Sequence, residues 1–347
     1  MLLTILPNGD ELHLGTPGDE FRIAEYLHAN PPPNHPNPVF SLLRHGVASA
    51  LNNRTTFGNA FYFIQVRNRI VSLLITCVHF DEFGGGYYLE ILYGHTVEKY
   101  RRSGRIITLL GQIFRFEGCH KANVLLNRPS QEALIALPRL GFDEVAYDLF
   151  TMNFPAAYCC HRSMDMEYKH KSGEMRDLRV THATPVFRDA LAAHSVCISK
   201  LVLKRQLSFL DICDLWTATG IAVRIDNNID RTPLVGRFYV LTCGDTAAGS
   251  IKVFFEWDVY RNGWIVYFRR PYIGRAWRNH SMLGARFIWR VMTQVCPTNT
   301  LEVRTYLQRG TDPNVLDARG FLESVGFRQL NNALLGSSYL GKRVASA

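Results

Sequence analysis

The chain runs through one structural plan twice, and that repetition limits its fold more than any single residue does. Segments patterned as strand, helix, helix, three strands, helix, strand, helix and strand fill residues 1–154, and the same order returns over 177–347. Landmarks keep the two passes in step. Gly141-Phe142 and Gly326-Phe327 each end a helix-type segment and stand 185 residues apart. Two basic turns, at Arg101 and Arg278, stand 177 apart, so the second pass carries an insertion of about eight residues between its basic turn and its Gly-Phe. Thr16-Pro17 and Thr184-Pro185 open corresponding helices, with Thr as N-cap and Pro in the first turn. Each pass is long enough to bury its own core. The expected fold is therefore α/β with mixed sheets: one domain over 1–154, a polar linker over 155–176, and a second domain over 177–347.

The local patterns are specific. Phe61–Val66 and Ile70–Phe80 are rich in aromatic and β-branched residues around Arg67-Asn68-Arg69, which predicts a hairpin. Tyr87–Thr96 is a third long strand, with Glu90 a lone acid between Leu89 and Ile91. After Arg101-Arg102-Ser103-Gly104-Arg105 the period changes to that of an amphipathic helix, followed by a strand over 123–126, a helix over 130–140 and a closing strand over 145–154. In the second pass the matching strands are 237–242, 250–257, 263–269 and 301–307, and the matching helices 279–295 and 314–325.

Chemistry is most legible at the strand-to-helix turn. Backbone N–H groups at a helix start lack intrahelical partners and, with the positive end of the helix dipole, form a nest for an anion. Arginines there add charge-assisted hydrogen bonds to phosphate, and Gly104 lets a ligand approach the backbone closely. Glu90, flanked by apolar residues eleven positions before Arg101, has the setting in which a carboxylate's pKa rises toward that of a useful base.

The run Val97-Glu98-Lys99-Tyr100-Arg101-Arg102-Ser103-Gly104-Arg105-Ile106 resembles the pyrophosphate loop of the GNAT superfamily of acyl-CoA-dependent N-acyltransferases, Arg/Gln-x-x-Gly-x-Gly/Ala. Arg101 and Gly104 match, and Ile106 replaces the small last residue. Ala133–Phe142 resembles the family's closing helix, and Ala318–Phe327 resembles it again. In the second pass Arg278 matches, while Ser281 and Leu283 stand where the glycines belong, so this copy resembles the fold with a degenerate cofactor loop. The resemblance implies acetyl-CoA or another acyl-CoA as co-substrate, held by Thr96, Val97, Arg101, Arg102, Ser103, Gly104, Arg105 and Ile106, and an amine-bearing acceptor. It implies Glu90 as catalytic general base, since Glu90 falls without a gap on the glutamate of the histone-acetylating branch. The family's acid tyrosine is replaced by Leu137 and Leu322, and Tyr267 stands at the Glu90 position of the second copy. These departures sustain a rival expectation, a catalytically silent binding module of the same fold.

Charge is uneven. Residues 1–153 carry 13 Lys and Arg against 14 Asp and Glu, whereas 177–347 carry 22 against 13. The basic half offers a surface to an acidic partner. Eight cysteines without paired CxxC spacing favour a reducing, intracellular and cytoplasmic setting, and adjacent Cys159 and Cys160 fit no metal knuckle, so no metal is expected. No apolar run reaches the length of a membrane span. His79, His95 and His280 are the remaining candidate bases, and Trp257, Trp264, Tyr267 and Phe268 read as sheet packing.

Overall fold

The computed structural model describes the chain except residues 33, 34, 36, 55–57, 82–85, 127–136, 139–141, 145–146, 154–166, 170–173, 188, 192, 195–236, 279–282, 309–312, 331–332 and 338–347. β1 (Leu2–Ile5) and β2 (Glu11–Leu14) form an antiparallel pair. A 3-10 turn at Pro17–Asp19 follows, closed by Asp19, whose carboxylate accepts from the Thr16 N–H at 2.9 Å and its hydroxyl at 2.8 Å. It leads into α1 (Glu20–Ala29), which buries Ile23, Ala24, Tyr26 and Leu27 on one stripe. α2 (Phe40–Asn52) does the same with Leu43, Val47, Ala50 and Leu51.

β3 (Asn59–Val66) and β4 (Arg69–Asp81) form the expected hairpin. Its two turn residues take positive φ, 47° at Arg67 and 63° at Asn68, the primed-turn geometry that matches strand twist. β5 (Gly86–Thr96) pairs antiparallel with β4. A 3-10 turn over Glu98–Ser103 then feeds α3 (Arg105–Glu117). Left-handed Gly118 ends α3, and β6 (Cys119–Leu126) returns parallel to β5. α3 buries Leu109, Leu110, Ile113 and Phe114 on the sheet face that presents Tyr62, Ile64, Leu89 and Ile91.

β7 (Asp143–Glu144) and β8 (Tyr147–Asn153) follow. Over the expected polar linker and one residue beyond it, β9 (Glu167–Lys169) and β10 (Met175–Asp177) pair as a short antiparallel ribbon. The second half then repeats the plan with β11 (Arg179–His182), β12 (Arg237–Cys243), β13 (Thr246–Asp258) and β14 (Gly263–Ile273), all antiparallel in sequence. α4 (Leu283–Val295), β15 (Thr300–Gln308, parallel to β14), α5 (Pro313–Val325), β16 (Arg328–Leu330) and β17 (Ala333–Ser337) complete it. The helix expected over 206–216 lies outside the described residues.

The sheets do not follow chain order. The first runs β1-β2-β3-β4-β5-β6-β17-β7 and the second β11-β12-β13-β14-β15-β8-β16. β8, expected to close the first sheet, lies between β15 and β16, in register from Tyr147 against Gln308 to Asn153 against Glu302. Reciprocally, β17 lies between β6 and β7, with Ala333 against Leu126 and Ser337 against Ala122. Strand periodicity specifies which side chains seek a core but not which sheet receives them. Here Met152 of β8 is buried with Leu322, Val325 and Phe327 of the second half.

The halves also meet through backbone. The Trp257 indole N–H donates to the Gly46 carbonyl at 3.1 Å, and the Asn59 side-chain amide donates to the Trp257 carbonyl at 3.0 Å. A Cβ at Gly46 would lie 2.2 Å from the Val259 oxygen, so only glycine lets α2 come this close. The core on the α1–α2 side of the first sheet is accordingly continuous with that of the second half, from Ile23, Leu43 and Phe61 to Trp257, Val266 and Phe287.

Candidate functional site

Two features converge at the end of β5. β5 and β6 pair in parallel from Tyr87 against Cys119 only as far as Ile91 against Val124. β5 continues to Thr96 beside β4, while β6 keeps β17 on its other edge from Ala122 to Leu126, so the two parallel strands part beyond Ile91. Leu92 is a bulge: Ile75 faces Tyr93 and the adjacent Thr76 faces Ile91. The bulge reverses the side-chain alternation, so Tyr93 joins the core on the α1 side although Leu89 and Ile91 face α3. Parting strands leave backbone amides and carbonyls of 92–96 to satisfy elsewhere, and a ligand lying along that edge can do so.

The turn that follows contains the predicted loop residues. Val97 returns its N–H to the Val71 carbonyl at 2.9 Å, and the Arg101 Nε–H donates to the Thr96 carbonyl at 3.3 Å, clasping the turn to the strand. The Ser103 hydroxyl donates to the Tyr100 carbonyl at 2.5 Å. Gly104 is left-handed (φ 74°), and its carbonyl accepts from the Ile107 and Thr108 amides at 3.0 Å, starting α3. Among the described residues, chain neighbours and the helix's own backbone aside, no atom lies within 4 Å of where a Gly104 Cβ would stand, which leaves open space over this helix start. Arg105 is engaged otherwise: its Nε–H meets the Asp10 carboxylate at 2.6 Å, and its guanidinium lies 4.7 Å from the Tyr100 ring centre. Ile106 packs partly buried against the first core. The Arg102 side chain lies outside the described residues.

His95 lies under this turn, its Nδ1 2.9 Å from the Tyr26 hydroxyl. Burial, aided by Arg101, depresses the imidazole pKa to about 4, so His95 is neutral near pH 7.

Glu90 is elsewhere on the same strand. Tyr88 and Glu90 alternate with Leu89 and point away from α3, toward the second half. The Glu90 side chain is 2% exposed and its Oε2 pairs with Arg269 Nη2 of β14 at 3.2 Å. The Tyr306 hydroxyl of β15 donates to Oε1 at 3.4 Å, and His79 Nε2 of β4 stands 3.5 Å from Oε2. Burial raises the Glu90 pKa, and Arg269 opposes it. Around them Phe254, Tyr267 and Tyr306 form a stack, with centroids 4.7 and 5.8 Å apart. Arg304 donates to the Tyr267 hydroxyl at 3.0 Å and to Glu302 at 2.7 Å.

This inter-half cluster joins residues remote from one another in the sequence. Trp257, Trp264 and Phe268 pack in the main core, and Tyr267 packs in a smaller buried cluster with Phe254 and Ile265 while its hydroxyl meets Arg304 at the seam. A signal was present: Tyr267 and Arg269, then Glu302, Arg304 and Tyr306, put polar and aromatic groups on one face of strands that also carry buried Val266, Phe268 and Val303.

The second half reproduces the first framework. β14 and β15 pair only as far as Phe268 against Thr305, while β14 runs on to Ile273 past a bulge at residues 270–271. The Arg278 Nε–H donates to the Ile273 carbonyl at 2.9 Å, the same clasp over the same five-residue interval as Arg101 makes. Ser281 and His280 lie outside the described residues, and Leu283 is buried at the start of α4. At the acid-tyrosine positions Leu137 is partly buried and Leu322 fully so. Their carbonyls accept from Phe142 and Phe327 at 3.1 and 3.0 Å. Among the described residues no three His, Cys, Asp or Glu side chains gather as metal ligands, and no helix is long and apolar enough to cross a membrane.

No protein-family model matches the sequence, and no curated protein matches it either. Solved structures do. A tandem GNAT protein from the clavulanic acid biosynthesis pathway is 11% identical and superposes with a TM-score of 0.50 over 94% of this chain and 98% of its own. A GCN5-related N-acetyltransferase from Sphaerobacter thermophilus is 11% identical, covering 96% of each chain, with a TM-score of 0.48. The chain has the tandem GNAT fold, two mixed sheets in one polypeptide.

Proposed function

We propose that this tandem GNAT-fold chain transfers an acyl group, acetyl in the first instance, from its CoA ester to an amine, with the donor held by the first half. The observation that supports this most is the parting of β5 from β6 beyond Ile91, leading directly into the Arg101–Gly104 turn at the start of α3. The open space over Gly104 is a cradle that a side chain would fill. The amides of residues 102–106 and the exposed Arg101 suit a pyrophosphate, and Thr96 and Val97 lie at the strand end beside it. Arg105 serves by tying the loop to Asp10.

A bound acyl-CoA supplies the activated thioester. The chain's own residues fix the two substrates in place, which alone removes much of the barrier, and Glu90 takes a proton from the acceptor ammonium, directly or through water. The leucines at 137 and 322 offer no acid to the departing thiolate, which leaves ionised or takes its proton from water or from another group. Those leucines also favour the second reading, a silent binding module of the same fold with its basic half toward an acidic partner.

Acetyl-CoA separates the readings. At a hundred-fold excess over Kd it should add about 2.7 kcal/mol of stability, seen as a rise in Tm. Gly104→Val fills the cradle and should abolish the rise. An unchanged rise in that variant removes the site from the Gly104 turn. Binding without transfer to any of a panel of polyamines, aminosugars and lysine peptides selects the silent module.

A further inference from the structure

A general base works only while ionised, and burial at 2% exposure pushes Glu90 toward the protonated form. Among the described residues the groups that face it are Cys77 and His79 of β4, Tyr88 of its own strand, Glu256 of β13, Arg269 and Tyr267 of β14, and Arg304 and Tyr306 of β15. Glu256 is an acid and supplies no positive charge. Arg304 is held by Glu302 and Tyr267. Among the described residues, Arg269 is the permanent cation that pairs directly with the carboxylate, at 3.2 Å.

We propose that Arg269, carried by the second half, is a positioning residue that holds Glu90 of the first half in place and ionised. The base of one copy is thus completed by the other. This rests on the reading of Glu90 given above. The guanidinium is built into its place. It lies 4.5 Å from the Phe254 ring centre and 5.3 Å from those of Tyr88 and Tyr306, and it donates to the Tyr88 hydroxyl. Flat faces on several sides fix a planar cation in one orientation. Arg269 is also the last residue before the β14 bulge, in register with Lys252, so the strand backbone fixes its root. The cluster has no counterpart in the other direction, because the Glu90 position of the second half is Tyr267.

The test needs no knowledge of the acceptor. In a pH-difference infrared titration of the full chain, the carboxyl band absent from Glu90→Gln belongs to Glu90. Replacing Arg269 by Met keeps an apolar stem between the rings and removes the charge. The Glu90 midpoint should then rise by about one pH unit or more, the effect of losing a contacting opposite charge, so about ten-fold less carboxylate remains below it. Arg269→Lys should restore most of the ionised fraction. Arg269→Gln makes the same comparison should Met at 269 prevent folding. An unmoved midpoint in a folded, charge-free variant overturns the proposal. With acetyl-CoA and a responsive amine, the acidic limb of kcat/KM should move alkaline in step while acetyl-CoA affinity stays constant. If the native protein transfers nothing, the enzymatic reading fails, and the infrared midpoint still decides whether Arg269 governs Glu90.

Discussion

Glu90 and Glu256 are both buried carboxyls, facing each other across the seam, and their environments separate them. Glu90 has a cation in contact, whereas Glu256 has one carboxylate oxygen without a hydrogen-bond partner among the described residues. Burial, opposed by Arg304 and reinforced by Glu90, lifts the Glu256 pKa to about 8. Such a group binds its proton more tightly folded than unfolded. Stability should therefore fall as pH rises from the ordinary 4.5 toward about 8 and level off above it. Glu256→Gln should flatten that decline, as thermal melts between pH 5 and 9 (a range of about four units around the window) would reveal. An equally steep decline in the variant assigns it to another group. For Glu90→Gln the expectation is kinetic. Acetyl-CoA binding stays intact and turnover near neutral pH drops roughly 10²–10⁴-fold, the usual worth of a general base. The deficit should narrow as pH rises, because more acceptor amine is already neutral. Full activity at neutral pH would remove Glu90 from the base role and turn attention to His95.

At the scale of elements, α2 against the β13–β14 turn is the contact most sensitive to one methyl group. Gly46→Ala would put a Cβ into the Val259 backbone at 2.2 Å, and neither helix nor turn can yield cheaply. A loss of about 1–3 kcal/mol is expected from overpacking, measurable by chemical denaturation. A near-neutral result would mean that α2 can slide. Most elements were readable because period and punctuation agree. Thr16-Pro17 opens α1, Asn68 turns the β3–β4 hairpin, Gly326 follows α5, and the switch of period after Gly104 marks α3. The partners of those elements were not. Nothing in the alternation of residues 147–153 says that β15 rather than β6 is its neighbour, because either edge offers the same backbone groups. The loop residues of the site were legible as a contiguous motif. Arg269, Tyr306 and His79 were not, since they reach Glu90 from strands remote in sequence.

Over the whole molecule, the reciprocal placement of β8 and β17 makes each sheet a joint product of both halves. Neither is an edge strand: each has a neighbour on both sides. Residues 1–154 or 177–347 produced alone should therefore aggregate or stay largely unfolded, each missing a strand from inside its sheet. Co-produced as two pieces, they should co-purify as one particle with the circular dichroism and Tm of the intact chain. Two independently stable, monomeric fragments would contradict the exchange.

The exchange also bears on ancestry. When a gene duplicates, a spare copy ordinarily drifts toward loss once its own activity is dispensable. Here a truncation that discarded the second copy would take away β17, the strand that fills the gap between β6 and β7. Whatever becomes of the loop around Arg278, selection on the first copy's fold continues to act on the second, as it would on two lineages that share an organ.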